Sequence, residues 1–406
     1  MHKVVIVGGG PAGLMAAYYS ALQGNYTILF DKNEKTGKKL YITGKGRCNL
    51  SNNVPVDEFL NNVVSNSKFL YGALNSFTPY DTLSFFENSG LKLKTERGNR
   101  VFPLSDKASD VTKTLERLCI DLGVDIKLNM LVEQINVENG HVKSVTVNGE
   151  EFLCDSVVVC TGGLSYPLTG STGDGYKFAK RLGHSIITPR PSLVGIELNG
   201  QYFRDVQGLS LKNVSLIAKV NNKTVFNELG EMLFTHFGVS GPIVLSCSCL
   251  INRASVDDLE LYIDFKPALD EETLHKRIIR EVDGARNKSV SNMLRSLLPK
   301  NIIPEILRRC NIKEDKICSE ITVQERKLLI EVMKKFSLDF KAFRPIEEAI
   351  VTSGGVNVKE INPKTMESKI VKGLFFAGEV LDVDAFTGGF NIQIAFSTGY
   401  LAGINA

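Results

Sequence analysis

Four β-branched residues in a row, Val4-Val5-Ile6-Val7, lead directly into Gly8-Gly9-Gly10-Pro11-Ala12-Gly13 and then into an apolar, alanine-rich run over 14–22. An unbroken apolar run of strand length reads as a parallel strand covered on both faces, and the run after the glycines reads as a helix. A second apolar strand over 27–30 ends at Asp31. Residues 57–90 break into short helices with aromatic anchors, and 107–122 reads as a helix stopped by Gly123. Three extended segments follow, at 124–137, 141–148 and 151–160, joined by the hairpin signals Asn139-Gly140 and Asn148-Gly149. From about 190 the pattern becomes strand-rich, at 194–198, 211–220, 224–227 and 259–265. It turns helical over 270–336, where Asp270 is a cap and Thr322-Val323-Gln324-Glu325 fits a capping box. Strand-and-glycine patterns return at 351–356 and 372–380, and a last helix runs to Ala402. The order predicts an α/β fold with a Rossmann-like dinucleotide domain over 1–190 and 344–406. An insert over 191–343 interrupts it, as a β-barrel at about 191–268 followed by helices at about 269–336.

Composition changes this picture little. The chain has 406 residues, 43% hydrophobic and 23% charged, which is ordinary for a globular protein with a large core. A net charge of +3 is too mild to imply nucleic acid. No apolar run is long enough for a membrane span, and a strand beginning at residue 3 or 4 leaves no room for a signal peptide. The eight cysteines have no C-x-x-C spacing, which argues against zinc and against a redox dithiol, and fits a reducing cytoplasm. No metal site is expected.

The chemistry starts at the first turn. Gly8, Gly10 and Gly13 spell G-x-G-x-x-G between a strand and a helix, with Asp31 18 residues further on. Gly8 permits the sharp turn, Gly10 lets the backbone approach a pyrophosphate, and Gly13 lets helix and strand pack closely. The helix N-terminus, with Pro11 and Ala12 in its first turn, offers free N–H groups to the phosphates. Asp31 is placed to accept a ribose hydroxyl, with Lys32 beside it. The loop 43–52, approached through Lys39, is dense in glycine and hydrogen-bonding side chains. Arg47, Cys48 and Asn49 there are candidates for a second cofactor-binding loop. A three-stranded meander at this point of the chain distinguishes FAD domains of the glutathione-reductase type, with Val132 at the adenine edge. Gly162 ends the next buried strand near the cofactor. At the far end, Gly378-Glu379 closes a strand, and Gly389 opens a helix. Glu379 is placed for ribityl hydroxyls, and the N–H groups of Asn391 and Ile392 for the flavin O2 side.

The segments VVIVGGGPAG, GKKLYITGKGRCNLSN, NRVFPLSDKASDV, TGGLSYPLTGSTGDGY, LFTHFGVSGP, VTSGGV and GLFFAGEVLDVDAFTGGFNIQIAFSTG form an ordered set along the whole chain. Together they resemble the BaiN-like (YhiN-like) FAD-dependent oxidoreductases, a family that includes 3-dehydro-bile acid reductase and aminoacetone oxidase-like proteins. Lys45 departs from the glycine of many relatives. The resemblance implies an FAD domain interrupted by a barrel-and-helix insert, and it is more specific for cofactor than for substrate. It implies a reductase of conjugated C=C bonds in 3-oxo, bile-acid- or steroid-like small molecules. The alternative is an amine oxidase of the aminoacetone type that uses O₂.

Tyr166 and His236 are the candidate proton donors, with Phe234 and Phe237 as walls for a flat apolar ring. Cys48 is either a low-pKa thiol beside the flavin or a packing residue, the second being favoured. Arg100 is either a substrate-carboxylate partner or part of a salt bridge. Only one dinucleotide fingerprint is present, so NAD(P)H, if it is the donor, docks transiently. A tRNA-modifying flavoprotein would want a basic surface and a helical tail, and a flavin-bound regulator without turnover is a further class.

Overall fold

Strand β1 (Lys3–Val7) lies in the middle of a five-stranded parallel sheet and is buried along nearly its whole length. On one side it pairs with β2 (Tyr26–Asp31), which in turn pairs with β3 (Asp125–Leu128). Strands β4 (Val132–Glu138), β5 (His141–Val147) and β6 (Glu150–Leu153) form a separate antiparallel meander. Its two turns are Asn139-Gly140 and Asn148-Gly149, all four residues at positive φ, as a tight hairpin of this twist requires. On the other side of β1 lies β7 (Ser156–Val159), and β8 (Leu374–Phe376) closes the edge, giving the order β8-β7-β1-β2-β3.

Two of the three extended segments expected over 124–160 are each two strands. The first breaks at Asn129, which takes a left-handed φ of 56°. Its N–H donates to Asn33 O, and that of Met130 donates to Asp31 O. The third breaks at Asp155, whose carboxylate accepts the Lys3 N–H at 2.8 Å. The first break passes the chain from the parallel sheet into the meander, and the second returns it to the parallel sheet.

Helix α1 (Pro11–Leu22) follows β1, α2 (Ala108–Asp121) precedes β3, and α3 (Asp174–Arg181) follows β7. Helix α4 (Phe390–Asn405) packs along α1. Their backbones nearly touch: a Cβ on Gly399 would lie 2.4 Å from Ala12 O, and one on Gly403 2.5 Å from Ala16 O. An antiparallel ladder between Ile186–Ser192 and Val351–Val356 returns the chain to this unit.

The structure, a computed structural model, describes residues 1–406 and divides them into two units, Met1–Ser192 with Pro345–Ala406, and Leu193–Arg344. Each has its own apolar core. In the second unit, seven antiparallel strands pair in the order Phe336–Leu338, Leu259–Asp264, Ser210–Val220, Lys223–Phe234, Gly238–Ser240, Ile196–Leu198, Phe340–Phe343. The strand expected over 224–227 continues to Phe234, through Gly230, where a Cβ would strike the Ile243 side chain at 2.2 Å. Helices from Glu271 to Lys334 complete this unit, capped by Asp270 and by the Thr322–Glu325 box. No helix of the protein is long and apolar enough to cross a membrane.

Candidate cofactor and active site

The carboxyl ends of β1, β2 and β7 and the start of α1 converge. The N–H of Gly8 donates to Phe30 O at 2.8 Å, and that of Cys160 donates to Val7 O at 2.8 Å. A Cβ on Gly13 would lie 1.8 Å from Gly8 O, and one on Gly8, at φ 101°, would lie 2.6 Å from Cys160 O. Around Gly10, by contrast, a Cβ would meet nothing within 4 Å. Tight packing at two glycines and open space at the third is the cradle a pyrophosphate needs. No side chain caps α1, so its first N–H groups are left for an anion.

Asp31 is buried and oriented. Asn33 donates to its Oδ1 through N–H and Nδ2 at 2.8 and 2.9 Å, and Gly9 N–H donates to Oδ2 at 2.7 Å. A carboxylate accepts about four hydrogen bonds, so one position remains for a ribose hydroxyl. Asp31→Ala is expected to weaken FAD binding by about ten- to a hundredfold, the loss of one charge-assisted hydrogen bond. Titration of the FAD-free protein with FAD measures it, and unchanged affinity removes Asp31 from the site.

The C-terminal segment reaches the same place. A Cβ on Gly378 would lie 2.8 Å from the Ala12 Cβ at the start of α1. Next to it, Glu379 Oε2 accepts from Lys39 Nζ at 2.6 Å, and Oε1 accepts from Ser165 Oγ and Thr352 N–H, both at 2.9 Å. Lys39 Nζ also donates to Ser165 Oγ at 2.6 Å. Glu379 and Lys39 therefore form a network with Ser165 and Thr352, which the sequence reading left without a role. Each lies two residues from a glycine, Gly163 and Gly354, the one available signal. Beyond it, α4 begins at Gly389 (φ 98°) with no side-chain cap. Asn391 uses its side chain to brace Ala385, accepting from its N–H at 3.0 Å and donating to its O at 2.8 Å. The backbone N–H groups of Phe390, Asn391 and Ile392 precede the first intrahelical bond, Gln393 N–H to Gly389 O. A Cβ on Gly389 would lie 2.9 Å from Asn49 Oδ1, a buried oxygen with no hydrogen-bond partner. An orphaned acceptor beside free helix-end donors suits the alternating N–H and C=O edge of a flavin ring. These residues fit FAD.

Several candidates are engaged otherwise. Arg47 donates to Asp106 Oδ1 at 2.8 Å, pairs with Glu96 and stacks on Phe102 at 4.2 Å, so its charge is held in an ion-pair cluster rather than left for phosphate. Lys32 pairs with Asp174 at 2.6 Å and donates to Thr172. Cys48 is fully buried, and burial pushes its thiol up to about 12, which favours packing over a low-pKa thiolate. Val132 is buried at the start of β4, and Gly162 (φ 72°) sits against the Ser171 side chain. Tyr166 is half-buried at a left-handed φ of 52°, its N–H donating to Glu347 O at 3.1 Å. Arg100 is exposed and donates to Arg97 O. His236 belongs to the second unit, exposed and edge-on to Phe237, on which Arg344 stacks at 4.7 Å. Phe234, the last residue of its strand, lies fully inside that unit's core and offers no wall to a substrate.

A parallel Rossmann sheet with this cradle, its acidic strand end and a second flavin-facing helix defines an FAD-dependent oxidoreductase. The chain belongs to the HI0933-like family, whose Rossmann-domain model matches residues 2–405. It is 30% identical to a 3-dehydro-bile acid delta(4,6)-reductase of Clostridium scindens over 99% of this chain and 98% of that protein. It is 31% identical to a ribosomal RNA dihydrouridine synthase of Haemophilus influenzae over 99% of this chain and 97% of that protein. Among solved structures, the 3-ketosteroid-delta4-(5alpha)-dehydrogenase of Rhodococcus jostii shares the fold. Its TM-score is 0.54 at 13% identity, over 100% of this chain and 96% of that one.

Proposed function

We propose that this protein reduces a carbon–carbon double bond conjugated to a carbonyl, with electrons supplied by transiently docked NAD(P)H. The observation that carries the reading is shared by the two full-length relatives. A 3-oxo-4,6-diene and the uracil C5=C6 bond are both double bonds in conjugation with C=O, one in the bile acid named for the first, the other in the base named for the second. Reduced FAD, when bound, supplies the hydride. The chain must then hold the ring flat over the flavin, stabilise negative charge on the carbonyl oxygen and protonate the α-carbon. Tyr166 and His236 are the proton-donor candidates.

On substrate, the 3-oxo steroid-like ring is the first reading. It calls for apolar walls, and Phe234, buried in the core of its own unit, is not one. The second reading is uracil in RNA, and an uneven charge distribution favours it. Within the second unit, residues 193–275 carry six Lys/Arg against eleven Asp/Glu, whereas 276–335 carry fifteen against eight. Anaerobic mixing tests the reaction. NAD(P)H should bleach the flavin, and a 3-oxo-4,6-diene steroid or an unmodified ribosomal RNA transcript should restore its colour without oxygen. The proposal falls if NAD(P)H leaves the flavin oxidised while a small primary amine reduces it and air then yields peroxide.

A further inference from the structure

The basic surplus of the second unit is concentrated in one corner. Between residues 276 and 300 stand seven Lys/Arg and two Asp/Glu. Both acids are already neutralised. Glu281 is held by Arg277 at 2.7 Å and accepts from Ser296 Oγ at 2.9 Å, and Asp283 is held by Arg286 at 3.1 Å. The Ser296–Glu281 bond ties the residues just after helix Val290–Leu294 to helix Glu271–Gly284, so Lys288 and Arg295, which flank the short helix, belong to one corner with the cations of the longer one. Helix Glu271–Gly284 turns Leu274, Ile278 and Val282 into the core, and Arg280 projects from the opposite face. Arg280, Lys288, Arg295 and Lys300 are all exposed and are held by no acid of the chain. A solvated helix face ordinarily intersperses both signs, at i,i+4 spacing where it can. Here Arg280 has Lys276 and Gly284 at those positions, so the surface is built without partners for its charge.

We infer that this corner, formed by helices Glu271–Gly284 and Val290–Leu294 with the residues to Lys300, is a phosphate-backbone contact for a folded RNA. The inference rests on the uracil reading of the substrate. Four unpaired cations on a rigid helical corner match the repeating charge of an RNA backbone, which is recognised through its shape and its phosphates. Their work is positioning: they fix where the RNA lies and leave the chemistry to the flavin.

The test compares the FAD-loaded protein with a variant carrying Arg280→Gln, Lys288→Gln, Arg295→Gln and Lys300→Gln. Binding of an unmodified ribosomal RNA transcript is measured across a salt series. Each lost phosphate contact removes about 0.7–0.9 from the slope of log K against log salt, so the slope should fall by about three. FAD content, melting temperature and flavin reduction by NAD(P)H should be unchanged. Lys212→Gln with Lys223→Gln, on the acidic half of the same unit, should leave the slope as it was. If the parent binds and reduces uridine in RNA but the quadruple variant keeps its affinity and slope, the corner is not the contact, and the uracil reading stands. If the parent neither binds RNA nor forms dihydrouridine while reducing the steroid dienone, the uracil reading falls and takes the corner with it. Loss of binding to vesicles containing phosphatidylserine, with RNA binding intact, would make the corner a membrane contact and overturn the proposal.

Discussion

Gly10→Ala is expected to fold like the parent and to fail at its cofactor. Gly10 has an extended backbone, φ −76° and ψ −174°, that alanine adopts freely, and the added methyl meets nothing within 4 Å. The FAD-free variant should therefore melt where the FAD-free parent does. The empty space is what the pyrophosphate needs for contact with the backbone. FAD affinity should fall by at least about tenfold, an effect of roughly 1.4 kcal/mol or more. Gly13→Ala provides the contrast. Its methyl would sit 1.8 Å from Gly8 O, and because the obstacle is backbone, neither side can turn away. That variant should lose stability itself, by about 3 kcal/mol or more. Calorimetry of the FAD-free proteins and FAD titration separate the two effects. A Gly10→Ala protein with full FAD affinity would place the pyrophosphate elsewhere.

The second large effect is expected at Glu379. Glu379→Ala leaves the Lys39 ammonium, only 22% exposed, without its carboxylate, and removes the acceptor for Ser165 Oγ and Thr352 N–H. Breaking a fully buried ion pair from one side costs about 3–5 kcal/mol; with both partners about one-fifth exposed, roughly 1–3 kcal/mol is the expectation here. FAD affinity should fall as well, since the remaining acceptor position of the carboxylate goes with it. Glu379→Gln keeps one acceptor oxygen and should lie between parent and alanine variant in melting temperature. An alanine variant that melts like the parent would show that the network carries no stability.

What could be seen along the chain was what neighbouring residues decide together. The strand–glycine–helix turn at 4–22, the acid at the end of β2, the two Asn-Gly hairpins and the caps at Asp270 and Thr322 each lie within a few residues, where local geometry suffices. What escaped depends on residues far apart. Ser165 and Thr352 join Lys39 at Glu379 from distant parts of the chain, and beyond a nearby glycine nothing in their own surroundings marks them. Arg47 looked available because its acids, Glu96 and Asp106, stand about fifty residues on. Phe234 looked like a pocket wall because its strand appeared to stop at 227. The overall charge averages over a contrast: +3 for the whole chain sums an acidic sheet half and a basic helical half in one unit.

The interleaving of the two units also orders events during synthesis. Residues 1–192 leave the ribosome with four of the five sheet strands, yet the edge strand β8 and the helix that lies along α1 are made only after the whole of Leu193–Arg344. Until then α1 lacks the surface against which Ala12 and Ala16 pack, and the two halves of the cofactor cradle are separate. The contiguous second unit has all its strands and helices in hand by residue 344, whereas the cofactor unit closes through contacts hundreds of residues apart, the slow kind. Capture of the flavin is thus tied to the stretch translated after the second unit, and a ribosome that stalls before the helix Phe390–Asn405 is complete leaves a chain whose cradle is still open.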